Sequence, residues 1–324
     1  MRRLHALLGI TLAIGGSCLA AQAPTGSALP LDPADPPEVV RTSPDLDERV
    51  TIPISIDGKG PWNFVIDTGS QRTVIARDLA QHLALPERST VTIVSMTGRS
   101  ETRTVAVPRL RFGKGTIDDI EAPVLEGEHL GAAGLLGLDS LHAKRLTLNF
   151  KTGRMEIVGS GRLRQARDPD TIVVEARRKR GQLILLDSEV NGMRVNIMLD
   201  TGTRYSIGNL ALRDKLLAKK RAPDTILTTL TSVTGGTMTG EVGRIGTVRM
   251  GRVNLSQVPV VFADASPFAE LGLRDKPALL LGISALRGFD RVAIDFGRGK
   301  VDFLLPDASA LGGRQFAATK APAA

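Results

Sequence analysis

Two stretches of the chain, Trp62-Asn63-Phe64-Val65-Ile66-Asp67-Thr68-Gly69-Ser70 and Val195-Asn196-Ile197-Met198-Leu199-Asp200-Thr201-Gly202-Thr203, carry the same order of residue types. Each is an apolar run leading straight into Asp-Thr-Gly, with an asparagine four residues before the aspartate. Ahead of each lies a shorter strand pattern that ends at Asp57-Gly58 or Asn191-Gly192, a dipeptide that supplies the two positive-φ positions of a tight hairpin. A single Asp-Thr-Gly arises by chance in about one of fifteen chains of this length and reads as an Asx turn after a strand. Two in matched contexts read as a duplicated structural unit whose two aspartates serve one site.

Working outward, the order of patterns stays the same in both halves. A helical stretch follows each motif, Ala76 to Leu85 and Leu210 to Lys219. Next come glycine-bearing hairpin candidates, Met96-Thr97-Gly98 and Thr234-Gly235-Gly236. An apolar pair closed by glycine comes after that, Leu135-Leu136-Gly137 and Leu280-Leu281-Gly282, and then two alternating strands around a glycine. The expected domains are residues 48–160 and 171–306, joined by a linker over 161–170. A Pro/Ala/Asp/Ser-rich leader over 24–47 and a loose tail over 307–324 have no apolar period and are expected to be flexible.

The chain has 324 residues, 42% of them hydrophobic, enough for two domains with their own cores. Beyond the N-terminus no apolar run approaches the roughly 20 residues that span a bilayer, which excludes a polytopic membrane protein. Nine Phe, one Tyr and one Trp supply too few rings for a base-stacking platform or a ring-lined sugar cleft. The net charge of +8 is scattered. Its densest clusters, Arg177-Arg178-Lys179-Arg180 and Lys219-Lys220-Arg221, sit by expected turns or a helix end, where solvated charge is the ordinary reading. No nucleic-acid partner is expected; a basic surface protein for anionic lipid or nucleic acid would bind in a salt-sensitive way that ignores both aspartates.

Residues 1–23 have the make-up of an export signal: Arg2 and Arg3, the apolar stretch Leu7 to Ile14, and Ala21-Gln22-Ala23 as a cleavage site. The expected location is therefore periplasmic or secreted. The only cysteine, Cys18, lies within this segment, so the processed chain would have neither a thiol nucleophile nor a disulfide. Lipidation at Cys18 is the one route to a membrane, and Gly15-Gly16-Ser17 before it is a poor lipobox.

On the paired Asp-Thr-Gly-Ser/Thr motifs and the downstream apolar-apolar-glycine segments, the chain resembles the pepsin and retropepsin family of aspartic peptidases, in particular a bacterial branch with two retropepsin-like halves in one chain. The resemblance covers about residues 48–306. It implies a mainly all-β, bilobal acid-protease fold: two related β-barrel-like lobes with short helices. It implies that Asp67 and Asp200 face each other as the catalytic pair of an endopeptidase, sharing one proton and activating a water. Gly69 and Gly202 would permit the close approach, Thr68 and Thr201 would bond across to the opposite loop, and the Ser70 and Thr203 hydroxyls would bond the outer carboxylate oxygens. Met96, Thr97, Gly98 and Thr234, Gly235, Gly236 would form two similar flaps over a polypeptide substrate, and the fused chain would act as a monomer with no cofactor and no metal.

The chain also departs from that family. Pepsins carry a flap tyrosine, whereas the single tyrosine here, Tyr205, follows the second aspartate and reads as packing. The histidines at 5, 82, 129 and 142 have no metal-site spacing, and His129, between acidic residues, reads as part of an exposed loop. The competing reading is a peptide-binding scaffold that keeps the fold without turnover.

Overall fold

The computed structural model describes residues 7–8, 12–14, 38–45, 48–113, 115–141, 143–160, 170–306 and 318–320. In the first lobe six strands close into a barrel. Strand Val50–Ile56 pairs antiparallel with Lys59–Ile66, which runs parallel to Gly134–Leu136. That short strand pairs with Val74–Ala76, then come Gly115–Leu125 and Gly98–Phe112, and Ile56 meets Leu110 to close the ring. The second lobe repeats the order with Ser188–Val190, which pairs with Met193–Arg194 just ahead of Asn196–Asp200, then Ala278–Gly282, Ser206–Gly208, Val253–Phe262 and Thr237–Met250, the last pairing back with Ser188–Val190. Both hairpin turns form at the expected dipeptides, with positive φ at Asp57 and Gly58 and at Asn191 and Gly192.

The strands that lead to the aspartates are apolar on both faces because both faces are covered. Phe64, Val65 and Ile66 are fully buried, as are Leu279 and Leu281 on the strand beneath Asp200. Burial of each such side chain is worth about 1.5–3 kcal/mol, so the ends of these strands are among the most firmly held backbone in each lobe. The expected helices are present as Arg77–His82 and Leu210–Ala218; the Asn209 carboxamide oxygen caps the second by accepting from the Leu212 N–H at 2.9 Å.

A third, antiparallel sheet joins the lobes. Its order is Glu38–Arg41, Arg154–Gly159, Lys144–Asn149, Arg291–Asp295, Lys300–Leu304 and Thr171–Lys179, with the central pair contributed one strand from each half. This corrects the leader assignment: residues 38–41 are an edge strand with Val40 buried, and Ser43–Pro44 pairs with Val50–Thr51. The Pro-rich composition stops at Pro37, and the β-branched pair Val39-Val40 then pairs with the sheet edge. At the other end Ala318–Lys320 pairs with Val253–Leu255, so this part of the expected tail is also a strand.

The linker residues 161–169 and most of the expected signal, leader and tail lie outside the described residues. Of the first 23 residues, Leu7–Leu8 runs parallel to Thr231–Ser232, and Leu12–Ile14 runs antiparallel to Thr92–Val94. Among the described residues no helix is long and apolar enough to cross a membrane.

Candidate active site

Each aspartate sits where a buried strand runs out into a loop, and the two loops meet between the lobes. Asp67 donates its N–H to the Leu136 carbonyl at 3.0 Å, and Asp200 is paired with Gly282, so the apolar-apolar-glycine strands lie directly beside the motifs. The loops are locked by a reciprocal exchange. The Thr68 N–H donates to Thr201 Oγ1 and the Thr201 N–H donates to Thr68 Oγ1, both at 3.1 Å. Each hydroxyl passes its own proton to the strand that carries the opposite aspartate: Thr68 Oγ1 to the Leu199 carbonyl at 3.0 Å, and Thr201 Oγ1 to the Ile66 carbonyl at 2.6 Å. All four groups are buried, so every bond replaces one that water cannot supply there.

Gly69 and Gly202 have no room for a side chain where the two loops meet. A Cβ on Gly202 would sit 2.3 Å from Asp67 Cγ, and one on Gly69 would sit 2.7 Å from Asp200 Cγ. Any side chain would push the loops apart, so each glycine backbone lies against the carboxylate of the other lobe.

Both carboxylates are completely buried. Asp67 Oδ1 accepts from the Gly69 and Ser70 N–H groups at 2.8 and 2.9 Å, and Asp200 Oδ1 accepts from the Gly202 N–H at 2.9 Å. The two Oδ2 atoms have no protein hydrogen-bond partner among the described residues. Burial pushes Asp67 up to about 7, against the lowering influence of its two backbone donors and of the Arg49 guanidinium. Burial likewise holds Asp200 well above the ordinary carboxyl value, and the neighbouring Asp67 charge raises it further, against the Gly202 N–H and Arg49. Two carboxyls so placed favour the state with a shared proton, the effect for which aspartic proteases are a standard illustration.

The supporting hydroxyls differ from expectation. Ser70 Oγ donates to the Arg72 carbonyl at 2.7 Å and Thr203 Oγ1 to the Tyr205 carbonyl at 3.1 Å. A hydroxyl has one proton, and in both loops it closes the local turn two residues on instead of reaching a carboxylate. Ser70 meets Asp67 through its backbone N–H.

The two flap candidates do form hairpins. Glu87–Ser95 pairs with Gly98–Phe112 and Ile226–Ser232 with Thr237–Met250, with Met96-Thr97 and 233–236 at the tips. The tips touch through a cluster of hydroxyls that sequence reading did not anticipate. Thr97 Oγ1 lies 3.0 Å from Ser232 Oγ, Thr234 Oγ1 bonds Ser95 Oγ at 2.9 Å, and Gly236 packs on Thr97. Met96 is buried in the apolar cluster of the second lobe that also holds Leu230 and Phe268, and its carbonyl accepts from the Ser266 N–H at 3.1 Å.

His129 is not on a solvated loop. It belongs to the one-turn helix Gly127–Leu130, and its ring packs against Gly235 of the second flap, because the turn tucks the ring inward while Glu126 and Glu128 stay outside. Tyr205 packs against the second lobe's apolar cluster, with the Arg204 guanidinium 5.2 Å from its ring centre.

Two further side chains reach the motif loops. Gln182, buried in the second lobe, donates Nε2–H to the Gly69 carbonyl at 2.9 Å. Arg49, fully buried in the first lobe, donates from Nη1 to the Gly202 carbonyl at 3.4 Å and from Nη2 to the Leu130 carbonyl, while its Nε bonds Asp45 Oδ2 at 2.6 Å. The only sequence sign of them is position: each lies eighteen residues before the aspartate of its half.

A family model described as aspartyl protease matches the chain twice, over residues 52–140 and 186–285, which together exceed half of its length. No curated protein matches the chain. One family match in each barrel, each containing one Asp-Thr-Gly, means that the chain belongs to the aspartyl protease family, with a retropepsin-like unit in each half.

Proposed function

We propose that the chain is an exported aspartic endopeptidase in which Asp67 and Asp200 together activate one water against a peptide bond. The observation that carries this reading is the pair of completely buried carboxylates, one from each lobe, pressed against each other's glycine loops and both raised above the ordinary carboxyl range. With one proton between them, the ionised member takes a proton from the water as its oxygen bonds to the carbonyl carbon. The protonated member gives its proton to the carbonyl oxygen, and a tetrahedral intermediate forms. Collapse of the intermediate transfers a proton to the amide nitrogen, breaks the C–N bond and returns the pair to its starting state.

Extended polypeptides are the substrate class that the flaps suit. The chain's own N-terminal segment already lies along both: Leu7–Leu8 parallel to the second flap and Leu12–Ile14 antiparallel to the first. One peptide crossing two flaps related by a pseudo-two-fold axis must run parallel to one and antiparallel to the other. Both aspartates come from one chain, so a monomer suffices. The apolar N-terminus and its Ala21-Gln22-Ala23 site support export, which N-terminal sequencing of the mature chain checks.

The test is cleavage of a denatured protein mixture by the wild type and by Asp67→Asn and Asp200→Asn. Each substitution is expected to lower turnover by at least about 10²–10⁴-fold, the usual contribution of a positioned acid or base. Full activity in either variant overturns the mechanism, and a wild type that binds pepstatin without forming products identifies a silent scaffold.

A further inference from the structure

The duplication that sets the two aspartates side by side does not extend to the charge behind them. Eighteen residues before each aspartate, a side chain crosses to the other lobe and donates to the carbonyl of the opposite motif glycine: Arg49 to Gly202 and Gln182 to Gly69. Both positions lie just ahead of the segments that match the family. We infer that Arg49 and Gln182 are cross-lobe positioning residues, and that having the cation in only one half makes Arg49 set the acidic edge of the pH range in which the dyad works. This rests on the peptidase reading above.

Arg49 is held so that its charge faces inward. Asp45 takes the Nε–H at 2.6 Å and the Arg49 backbone N–H at 2.7 Å, which leaves the two terminal nitrogens for the Gly202 and Leu130 carbonyls. A guanidinium with no exposed surface is poorly screened, and its field favours the ionised form of both carboxylates. The other charges around it are already committed. Glu48 pairs with Arg204 at 3.1 Å on the loop after Asp200, and the Glu48 carbonyl accepts from Arg287 behind the helix Ile283–Leu286. On the Gln182 side the nearby hairpin cations are a half-buried Lys179 and an exposed Arg180, the latter turned to Glu270 at 3.5 Å. Gln182 brings no charge, and its Oε1 is a buried acceptor without a partner among the described residues, a capacity that an arginine lacks entirely.

The experiment compares kcat/KM against pH for the wild type, Arg49→Gln, Arg49→Lys and Gln182→Arg, with thermal unfolding as the check that each variant folds. In parallel, a chain carrying carbon-13 at the Asp carboxyls is titrated by NMR, which reads the dyad whether or not the chain turns over. Arg49→Gln is expected to move the acid edge up by about half a pH unit or more, roughly a threefold loss of relative activity on that limb. Arg49→Lys keeps the charge and should restore the edge, and Gln182→Arg should move it down. An Arg49→Gln chain that folds and titrates like the wild type overturns the inference, as does an Arg49→Lys edge displaced as far as that of Arg49→Gln. If the wild type cleaves nothing, the peptidase reading fails, while the NMR titration still decides the role of Arg49.

Discussion

Replacing Thr201 by valine removes one hydroxyl from the interlocked loops and keeps the side-chain volume. Two groups lose their partners at once: the Ile66 carbonyl, which accepts from Thr201 Oγ1 at 2.6 Å, and the Thr68 N–H, which donates to it at 3.1 Å. Both lie in a region with no access to water, so each is left with the desolvation cost of an unmade bond, about 1–3 kcal/mol. The sum, about 2–6 kcal/mol, is a large part of the stability of an ordinary domain. It falls on the contact between the lobes and not on either barrel. Thr201→Ser keeps the hydroxyl and gives up only a methyl, so it should stay within about 1.5 kcal/mol of the wild type. The assay is denaturant unfolding of the wild type, Thr201→Val, Thr201→Ser, Thr68→Val and the double valine variant, with peptide cleavage at each step. Because the two threonines share one network, the double variant should lose less than the two singles added together. A Thr201→Val chain as stable as Thr201→Ser, or strictly additive singles, would refute the reasoning that the exchange holds the lobes together.

Gly202→Ala puts a methyl 2.3 Å from Asp67 Cγ, more than 1 Å inside ordinary contact, so the loops must separate. A displacement of about 1 Å at reacting groups costs about 10²-fold in rate, and cleavage should fall by at least that factor, with wild-type turnover refuting the close approach. The dyad also gives stability a definite pH dependence. Both carboxyls sit above their unfolded value of 3.8, so between about 4 and about 7 the folded chain binds more protons than the unfolded one. Its stability therefore falls as pH rises through that window. The double Asp67→Asn, Asp200→Asn variant should lose that component, so the wild-type-minus-variant difference in unfolding free energy must decline from pH 4 to pH 7; a flat or rising difference counts against buried, proton-sharing carboxyls.

What could be read from sequence was everything carried by short-range pattern. The apolar runs ending in Asp-Thr-Gly, the Asp-Gly and Asn-Gly turns and the glycine-closed apolar pairs are local signals, and the repeat supplied each one twice. Contacts between the halves left no such trace. Ser95 and Thr234, or Met96 and Ser266, meet only because two barrels dock, and nothing near Met96 in the chain says that its socket is built from the other half. The Ser70 and Thr203 hydroxyls failed for a related reason: a local carbonyl two residues away competes for the single proton, and residue identity alone does not reveal which acceptor takes it. The edge strand Glu38–Arg41 was hidden by the Pro-rich composition around it, since an edge position requires only a sheet to join.

Fusion of the two halves explains why the differences fall where they do. In a symmetric dimer of identical subunits, any residue that reaches across the interface is matched by its copy, so an arginine at the position of Arg49 would bring two buried cations to the dyad. In one chain each half can change alone. The elements that must be equal have stayed equal: both aspartates, both threonines and both glycines at the closest approach. The tolerated differences lie where the two lobes touch, in the chemistry each side presents: Arg49 against Gln182 behind the dyad, and Met96 set in the second lobe's apolar cluster at one hairpin while Gly235 lies on His129 at the other. A peptide has a direction, and a site with unequal sides can distinguish its two orientations where a symmetric one cannot.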